Sequence, residues 1–198
     1  MIYQGCQRVL AAYGFSRVTT RLIAQVAGVG VGTLYRYFSD REALFSEMYT
    51  ELARRLVADV IPSPAQAPWP LSVAEFTERI LRRFLYRLRE NRVTVLELAR
   101  NRHRFETRRQ QRRRELLFQS AIAALVEEHL DVEDTTLCAF VTQHAVEATV
   151  MGALIDHPEM LDDDRLIDEV TRMLAPYLAS RSRSPTARRG AAPRWSEG

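Results

Sequence analysis

Apolar residues recur along most of the chain at intervals of three and four positions, which is the period of an α-helix. At the start, Ile2, Cys6, Val9, Leu10 and Tyr13 fall on one helical face. Gly14 follows them, and it predicts the end of this first helix because glycine readily takes the left-handed conformation. The helical period continues to about residue 179 with no convincing strand, so the pattern predicts an all-α fold.

Three more helices are expected before residue 60. Thr19 can cap a short helix that Gly28 ends. A third short helix is expected over 33–38. Ser39 and Glu42 then have the spacing of a capping box, which predicts the start of a fourth helix.

A proline-rich stretch divides the chain. Four prolines fall within residues 61–70, and no helix tolerates that density, so a linker is predicted there. Two helical parts are expected on either side of it, residues 1–60 and residues 71–179. Residues 180–198 are rich in Ser, Arg, Pro and Gly and are expected to form a disordered tail.

Capping patterns also mark the helices of the second part. Ser72 and Glu75 repeat the capping-box spacing, and Asp134 precedes a long apolar helix. Three aspartates at 162–164 suit the positive end of a last helix. Pro176 is expected to kink or end that helix.

Charge is distributed unevenly along the chain. The net charge of +3 combines 14 arginines against 6 acids in residues 61–116 with 2 arginines against 13 acids in residues 117–179. All 28 basic residues are arginine. The acidic stretch cannot lie against nucleic acid, so it must face away from any DNA that the chain binds.

Several classes of protein are disfavoured by what the sequence lacks. It has no apolar run of about 18 residues and no signal peptide, which favours a cytoplasmic protein without a membrane span. The two cysteines and four histidines are scattered, so no metal site is expected. No catalytic motif occurs, so neither an enzyme nor a cofactor is expected.

Residues 19–38 meet the steric requirements of a helix-turn-helix, two short helices that cross closely around a tight turn. Ala24 is small where the second helix must cross, and Gly28 suits a turn with positive φ. Val29 can fill the angle after the turn, and Leu34 can anchor the second helix inward.

This geometry directs Val31, Thr33, Arg36 and Tyr37 away from the core. Arg36 has the bidentate donor geometry that reads guanine in the major groove. The phenols of Tyr35 and Tyr37 can bond phosphates on either side. The pattern therefore predicts a DNA-reading helix.

The stretch TTRLIAQVAGVGVGTLYRYFSDREALF, residues 19–45, resembles the DNA-binding signature of the TetR family of one-component repressors. The resemblance covers about the first 60 residues, and the rest agrees only in size, helical character and order of helices. The positions that match are Thr19, Ile23, Ala24, Ala27, Gly28, Val29, Gly32, Thr33, Leu34, Tyr35, Tyr37, Phe38 and Leu44.

The resemblance implies an all-α fold with an N-terminal three-helix helix-turn-helix domain and a C-terminal helical bundle for dimerisation and ligand binding. It implies a homodimeric regulator, in most cases a repressor, that an unknown small molecule releases from a palindromic double-stranded operator. The implied DNA-contacting residues are Thr20, Arg21, Val31, Gly32, Thr33, Tyr35, Arg36, Tyr37 and Arg41. Of these, Val31, Thr33 and Arg36 would face bases, and Arg41 stands where the family usually has a lysine on a phosphate. Thr20 and Arg21 would open the first motif helix at the DNA backbone and groove edge.

The family's middle helices surround a ligand cavity, which implies a set of ligand contacts in this chain. The apolar members are expected to be chiefly core residues. The set is Phe84, Leu88, Leu98, Arg102, His103, Phe118, Ile122, His144 and Glu147. The last two helices resemble the family's dimerisation pair, with a stripe of Leu137, Phe140, Val141, His144, Ala145, Ala148, Met151 and Gly152, and a second of Leu166, Ile167, Val170, Met173 and Leu174.

Two departures from the family pattern and two alternatives remain. Gly30 replaces the usual serine-like cap, and the basic arm that many members carry before the first helix is absent. The chain could instead be a helical protein–protein adaptor that has lost operator reading. The arginine-rich stretch 100–118 is expected to be a solvated helical face, with a second nucleic-acid contact as the alternative.

Overall fold

The computed structural model describes residues 1–60, 71–183 and 186–187. The predicted linker and most of the predicted tail lie outside these residues. The helices are α1 (Ile2–Tyr13), α2 (Thr20–Ala27), α3 (Val31–Tyr37), α4 (Arg41–Val60), α5 (Val73–Glu90), α6 (Arg92–Asn101), α7 (Arg108–His129), α8 (Thr135–Asp156) and α9 (Arg165–Arg181). Short 3₁₀ turns cover Phe15–Arg17, Arg102–Arg104 and Pro158–Asp162.

The helices form two compact units. Unit 1 comprises Met1–Arg54 and Glu90–Arg114, and unit 2 comprises Arg55–Arg89 and Glu115–Gly198. The division therefore does not follow the proline-rich stretch alone. The stretch 90–114, which was expected in the second part, packs with the N-terminal helices.

An aromatic cluster explains why 90–114 joins unit 1. The ring of Phe105 lies 5.8 Å from that of Phe15, 6.0 Å from Phe45 and 6.1 Å from Tyr49, centroid to centroid. Phe15 and Phe45 are themselves 4.5 Å apart. Such aromatic pairs each contribute about 0.5–1.5 kcal/mol beyond the area they bury, so Phe105 holds its segment firmly against the N-terminal helices.

Polar contacts also bind α6 to the first helices. The Phe15 backbone N–H donates to the carboxylate of Glu97 at 2.7 Å, and Gln7 donates to the Asn91 side chain at 3.4 Å. Inside the same unit, the buried Arg114 guanidinium donates to Glu106 at 3.0 Å and lies 4.8 Å from the Tyr49 ring centroid. Unit 1 is therefore fixed by side chains from both of its segments.

Unit 2 has its own apolar core. Leu71, Val73, Phe76, Val126, Leu130, Cys138 and Leu178 are buried together, with Ile80, Ile122, Val132 and Tyr177 packed against them. Two short strands, β1 (Leu71–Ser72) and β2 (Thr186–Ala187), pair antiparallel at its edge. The prediction that the chain has no strand was wrong here, because two residues are too few to leave a period in the sequence.

The predicted helix caps form in most places. The Leu22 N–H donates to the Thr19 hydroxyl at 3.2 Å, and the Leu137 N–H donates to Asp134 at 2.9 Å. At α5 the capping box is complete, with Ser72 N–H donating to Glu75 at 2.8 Å and Glu75 N–H donating to the Ser72 hydroxyl at 3.2 Å. The Ser72 hydroxyl also donates to the Glu75 carboxylate at 2.7 Å, and this bond, followed by the bond from the Ser72 N–H, lowers the pKa of Glu75.

Two local predictions were wrong, and a third is settled in part. Asp40, not Ser39, caps α4, since the Ala43 N–H donates to Asp40 at 2.7 Å, and this bond lowers the pKa of that carboxyl. Tyr13 is half exposed rather than core-facing. At Pro176, where a kink or an end was expected, the helix does not end, since α9 continues to Arg181.

α8 is long and apolar enough, by length and composition, to cross a membrane, with a mean hydropathy of 1.3 over its most apolar window. However, 39% of that window is buried inside the protein, and the helix carries Gln143 and Glu147. A core helix with one exposed apolar face has the same length and apolar composition.

Candidate nucleic-acid interface and ligand contacts

The turn between α2 and α3 is set by Gly28. This residue has φ 69° and ψ 33°, the left-handed conformation that favours glycine. Its N–H donates to the Gln25 carbonyl at 3.2 Å, and the Val29 N–H donates to the Ala24 carbonyl at 3.0 Å. These two bonds form a Schellman motif, so the predicted turn is confirmed.

Close packing holds the helix-turn-helix in shape. A Cβ placed on Gly5 of α1 would lie 2.7 Å from the Cβ of Ala27 in α2, so a larger residue has no room there. Ile23 and Ala24 are fully buried on the same helix. The role of Gly5 was missed from the sequence, because a glycine within a helix gives no sign of what crosses it.

α3 has a single buried residue, Leu34. At about 100° per residue, Gly32 and Arg36 lie on the opposite side of the helix. Val31 and Tyr35 flank Arg36 on one side, and Thr33 and Tyr37 flank it on the other. Arg36, Tyr35 and Tyr37 are exposed, and Val31 and Thr33 are half-buried.

The predicted backbone-contacting residues differ in their surroundings. Thr20 is half-buried at the start of α2, and its hydroxyl lies 3.1 Å from the phenol oxygen of Tyr35. Arg21 is exposed. Arg41 is instead held inward, since it donates to the Val18 carbonyl at 3.0 Å and pairs with Glu42. These bonds, and the Phe15 ring 5.4 Å away, hold its guanidinium within unit 1.

The predicted ligand contacts are divided between the two units. Leu98, Arg102 and His103 belong to unit 1, whereas Phe84, Leu88, Phe118, Ile122, His144 and Glu147 belong to unit 2. Arg102, His103 and His144 are exposed, and exposed side chains cannot line an enclosed cavity. His144 Nδ1 donates to the Phe140 carbonyl at 2.8 Å on the outer face of α8. Leu88 and Leu98 are fully buried core residues.

Gln143 was overlooked in the sequence. This side chain of α8 is only 3% exposed, and neither its amide oxygen nor its nitrogen has a hydrogen-bond partner within the described part of the chain. A buried amide without partners is costly, so each such group calls for an explanation. The signal was present, since Gln143 shares an otherwise apolar helical face with Ala139 and Val150.

Neither cysteine offers chemistry. Both Cys6 and Cys138 are free and buried. Burial raises the pKa of Cys6 to about 12 and also raises the pKa of Cys138. Thiols with raised pKa values are poor nucleophiles, so these residues act as small core side chains.

Residues 2–48, which contain this helix-turn-helix, match the family model described as bacterial regulatory proteins, tetR family. Residues 2–48 are therefore a TetR-type helix-turn-helix domain. Over 91 residues it is 26% identical to the HTH-type transcriptional repressor Rv1474c of Mycobacterium tuberculosis, covering 40% of this chain and 49% of that protein. It is 32% identical over 56 residues to the uncharacterized HTH-type transcriptional regulator YhgD of Bacillus subtilis, covering 28% and 29%.

The match to these two relatives spans about half the length of one and under a third of the other. The TetR-type fold extends further. The crystal structure of the TetR family repressor AlkX from Dietzia sp. strain DQ12-45-1b superposes with a TM-score of 0.65 and 18% identity, covering 92% of this chain and 97% of that one. The expected all-α class with an N-terminal helix-turn-helix and a C-terminal helical part is thereby confirmed.

Proposed function

We propose that this TetR-family protein is a homodimeric transcriptional repressor that reads a palindromic operator with α3 and is released by a small molecule held in unit 2. One observation carries the DNA-reading role: Arg36 is exposed directly opposite the buried anchor Leu34, with Tyr35 and Tyr37 on its two flanks. A bidentate guanidinium between two phenols suits a guanine edge between phosphates. The repressor role rests on likeness to proteins named repressors.

Exposed apolar residues on the last helices support the homodimer. Leu137, Phe140 and Val141 of α8 are 49%, 43% and 36% exposed, and Met173 of α9 is 49% exposed. A second copy of the same face would cover them in a symmetric interface. In contrast, Val170 of the predicted α9 stripe is buried within the subunit, together with Ile167 and Leu174. A two-fold dimer would set two α3 helices against major grooves about 34 Å apart.

Gln143 supports an effector site in unit 2. Its buried amide offers one donor group and one acceptor without partners, which suits a mostly apolar molecule that carries a complementary amide, carboxyl or hydroxyl group. Such an effector releases DNA only if it favours the dimer conformation that fits the operator less well. A coupling of about 1–3 kcal/mol is enough for a useful switch.

The test is a titration of the full chain against the duplex upstream of its own coding sequence, over a series of salt concentrations. A dimer that neutralises about six phosphates should give a log–log salt slope near −5. The wild type should prefer this duplex over a scrambled one, and Arg36→Ala should lose the preference. Arg172→Ala, an exposed arginine of α9, is the matched control and should keep it.

Equal binding of the wild type to both duplexes would overturn operator reading by α3 at this site. Binding to neither would favour the adaptor alternative. If the preference holds, footprinting defines the operator, and compounds that abolish the complex identify the effector class.

A further inference from the structure

Unit 1 carries a dense group of arginines outside the helix-turn-helix. Residues 100–113, here called the arginine segment, contain seven arginines and one acid, Glu106. The Glu106 side chain is only 6% exposed and pairs with Arg114, so it does not offset the segment's charge. Five of the seven arginines are exposed and, within the described residues, take part in none of the ion pairs found: Arg102, Arg104, Arg108, Arg109 and Arg113.

One arginine of the segment lies beside the 3₁₀ turn that precedes α2. The Arg104 guanidinium lies 4.9 Å from the centroid of the Phe15 ring. Phe15 opens the 3₁₀ turn that leads to Thr19, the cap of α2. The first residues of α2, Thr20 and Arg21, are those expected on the DNA backbone, so Arg104 packs on the turn that leads into them.

The start of α7 is electrostatically unfavourable as it stands. Its first turn carries Arg108 and Arg109 and no acid, although the positive end of a helix favours negative charge. The Thr107 capping box there uses the neutral Gln110, whose side-chain oxygen accepts from the Thr107 N–H at 2.8 Å. Natural proteins depart from such a local preference mainly at functional surfaces. Bound phosphates would neutralise the arginine charge and would also interact favourably with the positive end of the helix.

The exposed arginines of α7 point in similar directions. Arg108, Arg109 and Arg113 fall within about 140° of the helix circumference. Unit 1 as a whole has 15 arginines against 7 acids, whereas unit 2 has 13 against 18. The positive field is thus concentrated in the unit that carries the helix-turn-helix.

We propose that the arginine segment binds the DNA backbone beyond the base pairs that α3 reads, as a second, sequence-independent contact. The inference rests on the proposed DNA-binding function and adds a surface outside the helix-turn-helix. Guanidinium groups bind phosphate oxygens bidentately and need no base contact, so this contact adds affinity without changing the sequence preference.

The experiment uses the full chain with Arg108, Arg109 and Arg113 all changed to glutamine, which has a similar helix propensity. The matched control changes Arg165, Arg172 and Arg181 of α9 to glutamine, which removes the same charge from unit 2. Each protein is titrated over a salt series against two duplexes, the footprinted operator alone and the operator with long flanks. Sedimentation checks that each remains a dimer.

On the flanked duplex, the magnitude of the log–log salt slope should be smaller for the α7 variant, by about 0.9 for each phosphate contact removed. Since a dimer loses contacts in pairs, the slope should fall by about 2 or more. On the operator alone the difference from wild type should shrink, and the operator preference should persist throughout. The α9 control should follow the wild type.

An unchanged slope for the α7 variant, while wild type prefers its operator and Arg36→Ala does not, overturns this inference and leaves the proposed function intact. If the wild type binds neither duplex, both this inference and the proposed function are overturned. Salt-dependent loss of the dimer in the α7 variant would assign the segment to the acidic unit of a second copy, and this also overturns the inference.

Discussion

Thr20 and Tyr35 meet across the helix-turn-helix, with the threonine hydroxyl 3.1 Å from the phenol oxygen. The first residue of α2 thereby restrains the orientation of a side chain on the flank of Arg36. Both groups are on the protein surface, so the bond contributes little to folding but orders two residues that are expected to contact the DNA backbone. It joins two positions that the sequence pattern treats separately.

We expect Tyr35→Phe to weaken operator binding by about two- to tenfold, the equivalent of one hydrogen bond, and to change the free energy of unfolding by less than about 0.5 kcal/mol. Thr20→Val should have a similar effect, and the double variant should lose less than the sum of the two. Fluorescence anisotropy on the operator measures all three. Tyr13→Phe, at an exposed tyrosine of α1, should bind as wild type, and strictly additive losses would show that the pair does not act together.

Gly28 and Gly32, four residues apart in the chain, should respond in opposite ways to replacement by alanine. Gly28→Ala forces a side chain into the left-handed conformation and should lower the free energy of unfolding by about 1–2 kcal/mol. Gly32 lies inside α3, and a Cβ there would meet nothing within 4 Å, so Gly32→Ala should raise stability by about 0.5–1 kcal/mol. Urea denaturation measures both. Equal destabilisation by the two changes would contradict this account of the turn.

Residues whose role is local were the most predictable from sequence. Gly28 ends α2 because the Schellman turn needs positive φ, and Thr19 and Asp134 cap helices through bonds within three residues. The capping box at Ser39 was wrong because α4 begins at Arg41, so the adjacent Asp40 is the residue whose carboxylate accepts from the Ala43 N–H.

Residues whose role depends on distant packing were less predictable. Arg41 is drawn inward by the Val18 carbonyl, 23 positions away, which no local pattern reveals. His103 and His144 were assigned to a ligand cavity by analogy of helix order, and both are exposed. Gln143 was overlooked because a single glutamine on an apolar face becomes notable only once its burial is known.

Gln143 should oppose stability and favour ligand binding. Replacing it with leucine removes a buried amide without partners and should raise the free energy of unfolding by about 1–3 kcal/mol. The same variant should lose the thermal stabilisation that operator-releasing compounds give the wild type. Gln143→Asn, which keeps an amide but shortens it, should lose the ligand effect without the gain in stability. A leucine variant that is no more stable than wild type would show that the amide is satisfied in the free protein.

His129 should make unit 2 sensitive to pH. Its ring stacks on Phe76 at 5.0 Å, and its Nδ1 donates to the Leu125 carbonyl at 3.1 Å. Burial lowers the pKa of His129 below its ordinary value of 6.5, and the Leu125 bond and the charge of Glu128 oppose this only in part. The unfolded chain therefore takes up a proton at a higher pH than the folded chain does.

The free energy of unfolding should consequently fall as the pH drops through 6.5, and this dependence should end below the lowered pKa of the folded state. His129→Phe keeps the aromatic stack on Phe76 and should remove this part of the pH dependence, whatever its effect on absolute stability. His157→Gln, at an exposed histidine, should retain it. Urea denaturation of the three proteins on either side of pH 6.5 decides the matter. If the phenylalanine variant loses as much stability as wild type over that interval, another group titrates, because a neutral ring at position 129 binds no proton in either state.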